Sequence, residues 1–189
     1  MTSTLSRRGS ALLMTLLLAS CGARPTPIER SAPPRSFAPY AGQAVELFDD
    51  RVDPAAVGLA DTAVSPRGNP IFRERVYRAE LVARMRVSTV TVDLVGGQPR
   101  YRISLIVLDS LAQRGFSDDH VELSIGADSP SFGTVRWLDT RLIGRTFVAF
   151  VHRFAGAEEP EVRFHLSADS ADMLAAVREA STLGELDHR

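Results

Sequence analysis

The fold is decided by one stretch, LIGRTFVAFVHRF, which runs from Leu142 to Phe154. Its apolar residues fall on both faces of an extended chain rather than on one face. A strand that is apolar on both faces belongs in the interior of a sheet. We therefore expect this stretch to form a central strand.

The next apolar stretch predicts a hairpin with this central strand. Residues 155–160 contain a glycine and a proline and predict a turn, and Val162–Leu166 alternates as a strand does. A turn centred near Glu158 would place two sets of side chains opposite each other, Phe150, His152 and Phe154 against Leu166, Phe164 and Val162. Both apolar sets would then share one face of the sheet.

Further strands are predicted upstream of the central strand. The first begins near Leu81 and changes its apolar phase after Ser88, so we expect it to be long and bent at a bulge. Gly96-Gly97 supplies a hairpin turn after it. The remaining strands are expected at Tyr101–Val107, Val121–Ile125 and Phe132–Leu138.

Helix signals flank the predicted strands. Asp53-Pro54 predicts a short helix that Asp53 caps, and Asn69-Pro70 predicts a second one with Arg75 on its outer face. The stretch Ser167-Ala168-Asp169-Ser170 is expected to cap a C-terminal helix that carries Met173.

Residues 79–166 resemble small secreted OB-like barrels. In those domains an alanine-acid-aliphatic strand, here Ala79-Glu80-Leu81, opens the barrel, and a glycine-polar-aromatic strand, here Gly144 to Phe147, closes it. The resemblance implies a mainly β fold, a small five- to six-stranded OB-like barrel with one or two short N-terminal helices and a C-terminal helix. A β-sandwich is the alternative, because alternation alone does not separate the two.

The beginning of the chain has the pattern of an export signal. Arg7 and Arg8 precede an apolar run that ends at Ala19 and is shorter than the roughly 20 residues of a membrane-spanning helix. Leu18-Ala19-Ser20-Cys21 resembles the lipobox of bacterial lipoproteins. The resemblance implies cleavage before Cys21 and acyl chains such as palmitate on that residue. Gly22 stands where an aspartate would imply inner-membrane retention, which favours the outer membrane, with the body facing the periplasm.

Three parts of the chain are expected: a signal peptide (1–20), lipidated Cys21 with a proline-rich tether (21–44), and one globular β-rich domain (45–189). Removing residues 1–20, which hold two of the 22 basic residues, leaves 20 basic against 23 acidic residues, interspersed along the chain. Nucleic acid is therefore not expected as a partner. Cys21 is the only cysteine, which excludes an intramolecular disulfide.

The sequence offers few groups for chemistry. Nucleotide-binding, zinc-protease and serine-hydrolase motifs are absent from it, so no catalytic residue and no cofactor is assigned. No metal site is expected either, because zinc requires three or four converging ligands and no calcium-loop spacing occurs. The residues weighed for metal are His120, His152, His165, His188, Asp49, Asp50 and Asp53. His152 is expected to be a hydrogen-bonded core histidine.

One face of the predicted hairpin is a candidate ligand site. The expected register brings Arg163 near Arg153, with His165 beside them. Two arginines across a strand pair repel each other, so this face could receive an anion or an acidic partner. Glu161 or solvent is the alternative partner of these arginines.

Three functions follow, in order of preference. The first is a non-enzymatic cell-envelope lipoprotein, anchored in membrane lipid through acylated Cys21, that binds an envelope protein or has a structural role. The second is a small-ligand or solute-binding lipoprotein associated with a transporter. The third is a carboxylate-based hydrolase, which would require a deep pocket that gathers two acids with perturbed pKa values.

Overall fold

A computed structural model describes residues 36–60 and 65–186. The signal peptide, Cys21 with the first part of the tether (21–35), and His188 lie outside these residues. Within the two described ranges no helix is long and apolar enough to span a membrane.

Six strands and four α-helices occur in the described part of the chain. The strands are β1 (Arg51–Val52), β2 (Leu81–Val95), β3 (Gln98–Gln113), β4 (His120–Ile125), β5 (Thr146–Phe154) and β6 (Glu161–Ala168). The α-helices are α1 (Gln43–Leu47), α2 (Pro70–Arg78), α3 (Phe132–Leu138) and α4 (Ala171–Leu186), and 3-10 turns lie at Pro54–Val57 and Asp139–Leu142.

The strands form a single sheet in the order β1-β6-β5-β2-β3-β4. Neighbours are antiparallel except β1 and β6, which are parallel. β5 lies inside the sheet, and residues 147–151 are all buried. This confirms the predicted central strand, which begins at Thr146 rather than at Leu142.

The sheet is open, because no strand pairing in the described residues joins its edge strands β1 and β4. The predicted OB-like barrel is therefore not confirmed. The described residues do not form a β-sandwich either, because all six of their strands belong to one sheet.

The loop after β4 nevertheless connects the two edges of the sheet. The hydroxyl of Ser131 accepts a hydrogen bond of 2.6 Å from the backbone N–H of Val52, and the hydroxyl of Ser129 donates to the carbonyl of Asp50 at 3.2 Å. In a closed barrel, strand pairing would join these two edges. Here two hydrogen bonds from the loop join them instead.

The long second strand has the predicted irregularities. β2 spans 15 residues, and its register with β3 shifts at three places, between residues 82 and 83, 84 and 85, and 87 and 89. Gly96 and Gly97 make the predicted turn with φ angles of 59° and 79°, a conformation that favours glycine. The prediction of a long strand bent at a bulge is confirmed.

Apolar side chains pack on both faces of the sheet. One cluster includes Met85, Leu105, Leu123, Phe147 and, from α3, Val135. The other includes Val82, Phe150, and residues of α1, α2 and α4 such as Leu47, Phe72 and Val177. The sheet is therefore covered by helices on both sides.

The segment Phe132–Leu138 is a helix, and the predicted strand there is wrong. Val135 and Leu138 are buried while Trp137 is 56% exposed, as expected for one buried face of a helix. A short apolar run fits both the helical repeat of about 3.6 residues and the strand repeat of about two. The sequence of this segment therefore did not separate strand from helix.

The hairpin β5–β6 forms, but its register differs by one residue from the prediction. Phe150 lies opposite His165 and His152 opposite Arg163, instead of opposite Leu166 and Phe164. A shift of one residue moves every side chain of the strand to the other face. Arg163 and His165 therefore lie on the same face as Phe150.

Of the three predicted helix starts, two have a side-chain cap in the structure. Asn69 accepts hydrogen bonds from the backbone of the first turn of α2, and Ser170 accepts one from Met173. Asp53 precedes a 3-10 turn, but its side chain caps nothing there. It reaches Ser167 on β6 instead.

Residues 36–44, the last part of the predicted tether, pack against the body. The carbonyl of Ala38 accepts a hydrogen bond of 2.9 Å from Ala155, and the ring of Tyr40 lies 5.1 Å from that of Phe154. The folded body therefore includes these residues.

Candidate functional site

The segment Asp49–Asp53, called here the acidic segment, is fixed against β6 by its backbone. The N–H of Asp50 donates to the carbonyl of Phe164 at 2.9 Å, and the N–H of Asp53 donates to that of Leu166 at 2.8 Å. Three carboxylates are thereby held beside the polar side chains of β6.

Asp50 is paired with Arg163. Its carboxylate lies 2.5 Å from Nη1 of Arg163 and accepts a second hydrogen bond from the N–H of Phe164. The side chain of Asp50 is only 8% exposed. Burial raises the pKa of Asp50, and the hydrogen bond from Arg163 opposes that rise.

His165 lies between the other two carboxylates. Its Nδ1 is 2.8 Å from Oδ1 of Asp49, and its Nε2 is 3.4 Å from Oδ1 of Asp53. Only the doubly protonated ring donates to both carboxylates at once. Burial would raise the pKa of Asp53, but the hydrogen bond and charge of His165, with a hydrogen bond from Ser167, bring it below its ordinary value.

Arg75 on α2 is buried, contrary to the prediction that it faces outward. Its Nε donates to the carbonyl of Leu47 at 2.6 Å and its Nη2 to that of Glu46 at 3.4 Å. Burial lowers the pKa of Arg75. Its position three residues after Phe72, on the buried face of the helix, was the sequence signal that could have revealed this.

A cleft of about 400 Å³ opens between the acidic segment, β6 and α2, and we call it the polar cleft. Its charged lining consists of Glu46, Asp49, Arg51, Asp53, Arg75 and His165. Phe72 and Met173 add apolar wall. A volume of this size is in the range of small-molecule sites, roughly 300–1,000 Å³.

The three residues predicted to bind an anion together are not brought together. Arg163 and His165 share one face and are engaged by Asp50 and Asp49. Arg153 lies opposite Val162 and binds Glu80 at 2.7 Å. The predicted pair of Arg153 and Arg163 depended on the wrong register.

His152 is hydrogen-bonded, as predicted, but it is half-buried rather than a core residue. Its Nδ1 lies 2.9 Å from the carbonyl of Arg78, and its ring stacks with Phe48 at 5.3 Å. Burial lowers its pKa.

The two carboxyl groups of the acidic segment whose pKa values are shifted, Asp50 and Asp53, line different clefts. In residues 36–60 and 65–186, no group of three or more His, Cys, Asp or Glu side chains is placed to hold a metal ion. A hydrolase with two carboxylates needs one that stays protonated. The carboxyl with a raised pKa, Asp50, lines a separate cleft with Arg163, whereas the pKa of Asp53 in the polar cleft is lowered.

A second unusual surface is the end of the β2–β3 hairpin, residues 92–99, called here the hairpin end. Val92, Leu94 and Val95 are 56%, 76% and 47% exposed. The neighbouring strand β4 ends at Ile125, which pairs with Tyr101, so the hairpin continues beyond it as two strands. Large apolar side chains are thereby presented to solvent at one tip of the body.

The hairpin end lies far from Ala38, which is near the first residue that the structure describes. Ala38 is bonded to Ala155, next to the end of β5 that pairs with the first residue of β2, Leu81. The hairpin end follows the last residue of β2, and 15 residues of strand span at most roughly 50 Å at about 3.4 Å each. The two features therefore lie at opposite ends of β2.

Comparisons with known proteins give no family for this chain. No protein-family model matches it, and neither the curated proteins nor the solved structures contain a significant match. Its site residues must be interpreted from their own geometry.

Proposed function

We propose that this protein is a cell-envelope lipoprotein, held by acyl chains on Cys21, whose body acts by binding a protein partner rather than by catalysis. The observation that carries the proposal is the exposed apolar hairpin end. The lipobox-like Leu18–Cys21 supports the anchor, and Gly22 favours the outer membrane with the body in the periplasm.

The hairpin end has the features of a contact surface. Burying one large aliphatic side chain contributes roughly 1.5–3 kcal/mol, so three neighbours left in water hold a usable driving force for association. The side chain of Leu94 is 76% exposed and contributes little to the stability of the fold. Packing therefore does not explain an apolar residue at this position. Its distance from Ala38 leaves it accessible to a partner while the N-terminus is held by lipid.

A crosslinking experiment tests the contact. A photoreactive amino acid at Leu94 should give one discrete protein adduct in intact cells. The same group at Leu183, an apolar residue on α4 that is 46% exposed, serves as the matched control. The adduct at Leu94 should be at least fivefold stronger and should disappear when Val92 and Val95 are changed to serine. Equal adducts at both sites would contradict the proposal.

A labelling experiment tests the anchor separately. A palmitate analogue should label the wild-type protein and not Cys21→Ala, because Cys21 is the only cysteine. Equal labelling of both proteins would exclude the anchor without bearing on the hairpin end.

Solute binding in association with a transporter is the second candidate function. The polar cleft supports it, because it combines a volume of about 400 Å³ with the buried guanidinium of Arg75. Burial lowers the pKa of Arg75, and charged groups in a cleft whose pKa values are shifted by burial and by neighbouring charges are characteristic of functional sites.

A further inference from the structure

We propose that the polar cleft binds a small zwitterion, a molecule that carries both a carboxylate and an ammonium group. The proposal rests on the second candidate function, solute binding, and names the chemical class of the solute. Two charges of opposite sign in the cleft carry it, one on Arg75 and one on Glu46.

Arg75 supplies the positive charge. Two of its nitrogens bind backbone carbonyls, whereas Nη1 has no hydrogen bond among the described residues. The charges of Asp49, Asp53 and Glu46 act on the guanidinium and partly offset the effect of burial on its pKa, but none of these carboxylates forms an ion pair with it. A buried charge is unfavourable unless it is paired. The planar guanidinium fork matches a carboxylate, so a ligand carboxylate would supply the direct ion pair that these more distant charges do not form.

Glu46 supplies the negative charge. It is exposed, it lines the cleft, and its carboxylate has no ion pair among the residues that the structure describes. The other carboxylates of the cleft are already engaged, Asp49 by His165 and Arg51, and Asp53 by Ser167. A ligand ammonium group would therefore be bound by Glu46.

A simple anion fits this cleft less well than a zwitterion. It would satisfy Arg75 but would also meet the negative charges of Asp49, Asp53 and Glu46, which raises its free energy in the site. A zwitterion presents a positive group to those carboxylates. The charge pattern therefore selects for both groups in one molecule.

Matched probes test the selection. Propionate, propylamine and β-alanine share a three-carbon skeleton and carry a carboxylate, an ammonium group, and both groups. Glycylglycine and triglycine add zwitterions with a wider charge separation. Isothermal titration of the full chain in detergent should show at least one of the three zwitterions binding tenfold or more tightly than propionate and propylamine.

Variants locate the site. Glu46→Gln changes an exposed side chain and should reduce the affinity for the preferred zwitterion about tenfold, to the level of propionate. Arg75→Gln should abolish binding of both the preferred zwitterion and propionate. Circular dichroism of this variant checks that it folds. Controls are Glu158→Gln and Arg86→Gln, exposed residues that do not line the cleft, and they should leave affinity unchanged within twofold.

The outcomes separate this proposal from the function on which it rests. Propionate binding as tightly as the zwitterions would overturn the zwitterion class and leave solute binding in place. Zwitterion affinity unchanged in Glu46→Gln would overturn the assigned site. The absence of binding by every probe would overturn the proposal. Selective binding that is lost in Glu46→Gln supports it, and none of these results depends on the hairpin end.

Discussion

The acidic segment and the hairpin end both depart from the usual distribution of side chains, in which charged groups are exposed and aliphatic groups are buried. In the acidic segment, carboxylates are turned inward and held by Arg163 and His165. In the hairpin end, aliphatic side chains are turned outward. Exposed charges and buried aliphatic residues are ordinary, so the exceptions are the informative positions. The difference indicates that the acidic segment stabilises the fold, whereas the hairpin end is available for contact.

The largest effect is expected at the pair of Arg163 and Asp50. Arg163→Leu leaves the carboxylate of Asp50 buried without its partner, and breaking such a pair is strongly destabilising. We expect the free energy of unfolding to fall by about 2–4 kcal/mol in urea denaturation. Arg102→Leu, which breaks an exposed pair with Asp93, should lower it by less than about 1 kcal/mol. Equal losses would remove the distinction between the two regions.

The next effect is expected where the loop after β4 meets β1. Ser131→Ala removes the acceptor of the Val52 N–H, a buried donor, and should lower the free energy of unfolding by about 1–2 kcal/mol. Ser124→Ala, at an exposed position on β4, is the control and should have little effect. A neutral Ser131→Ala would show that the two sheet edges are not connected by this bond.

A smaller effect is expected in the dependence of stability on pH. Because the pKa of Asp53 lies below its ordinary value of 3.8 in the folded state, its ionised form adds stability that is present above about pH 4. That stability is lost as pH falls through the folded-state pKa. Asp53→Asn should therefore flatten the loss of stability below about pH 4.

Asp50 should affect the pH dependence of stability in the opposite direction to Asp53. Its raised folded-state pKa means that its contribution to stability declines as pH rises from about 4 to that pKa. Asp50→Asn should remove this decline, so that stability rises more steeply with pH than in the wild-type protein. Thermal melts of both variants between pH 3 and pH 6 measure the slopes. Slopes unchanged from the wild-type protein would contradict the assigned environments.

The smallest effect on stability is expected at the hairpin end. Leu94→Ser should change the free energy of unfolding by no more than about 0.5 kcal/mol, because the side chain is exposed. The same change should reduce the crosslinked adduct severalfold when the photoreactive group is moved to Val95. A destabilisation above about 2 kcal/mol would mean that the hairpin end supports the fold.

The sequence predicted the features that depend on local pattern. The central strand near Phe150, the bent β2 and the caps at Asn69 and Ser170 each follow from neighbouring residues. The helix at Phe132–Leu138 was missed because seven residues fit either period.

The features that were missed at the site depend on contacts between distant residues. The β5–β6 register is set by the geometry of the turn, and an error of one residue placed Arg163 beside Arg153 instead of Asp50. Asp53 was assigned to its local turn, although its partner Ser167 is 114 residues away. Neither pairing leaves a trace in the local sequence.

The parallel pairing of β1 with β6 has a consequence for the order in which the chain folds. Arg51 is synthesised early, but its pairing partner is His165. Closing so long a loop is entropically unfavourable and slows folding. The acidic segment can dock only after β6 has emerged from the ribosome, so a nascent chain that still lacks β6 carries it undocked. Completion of the sheet therefore coincides with arrival of the C-terminal hairpin.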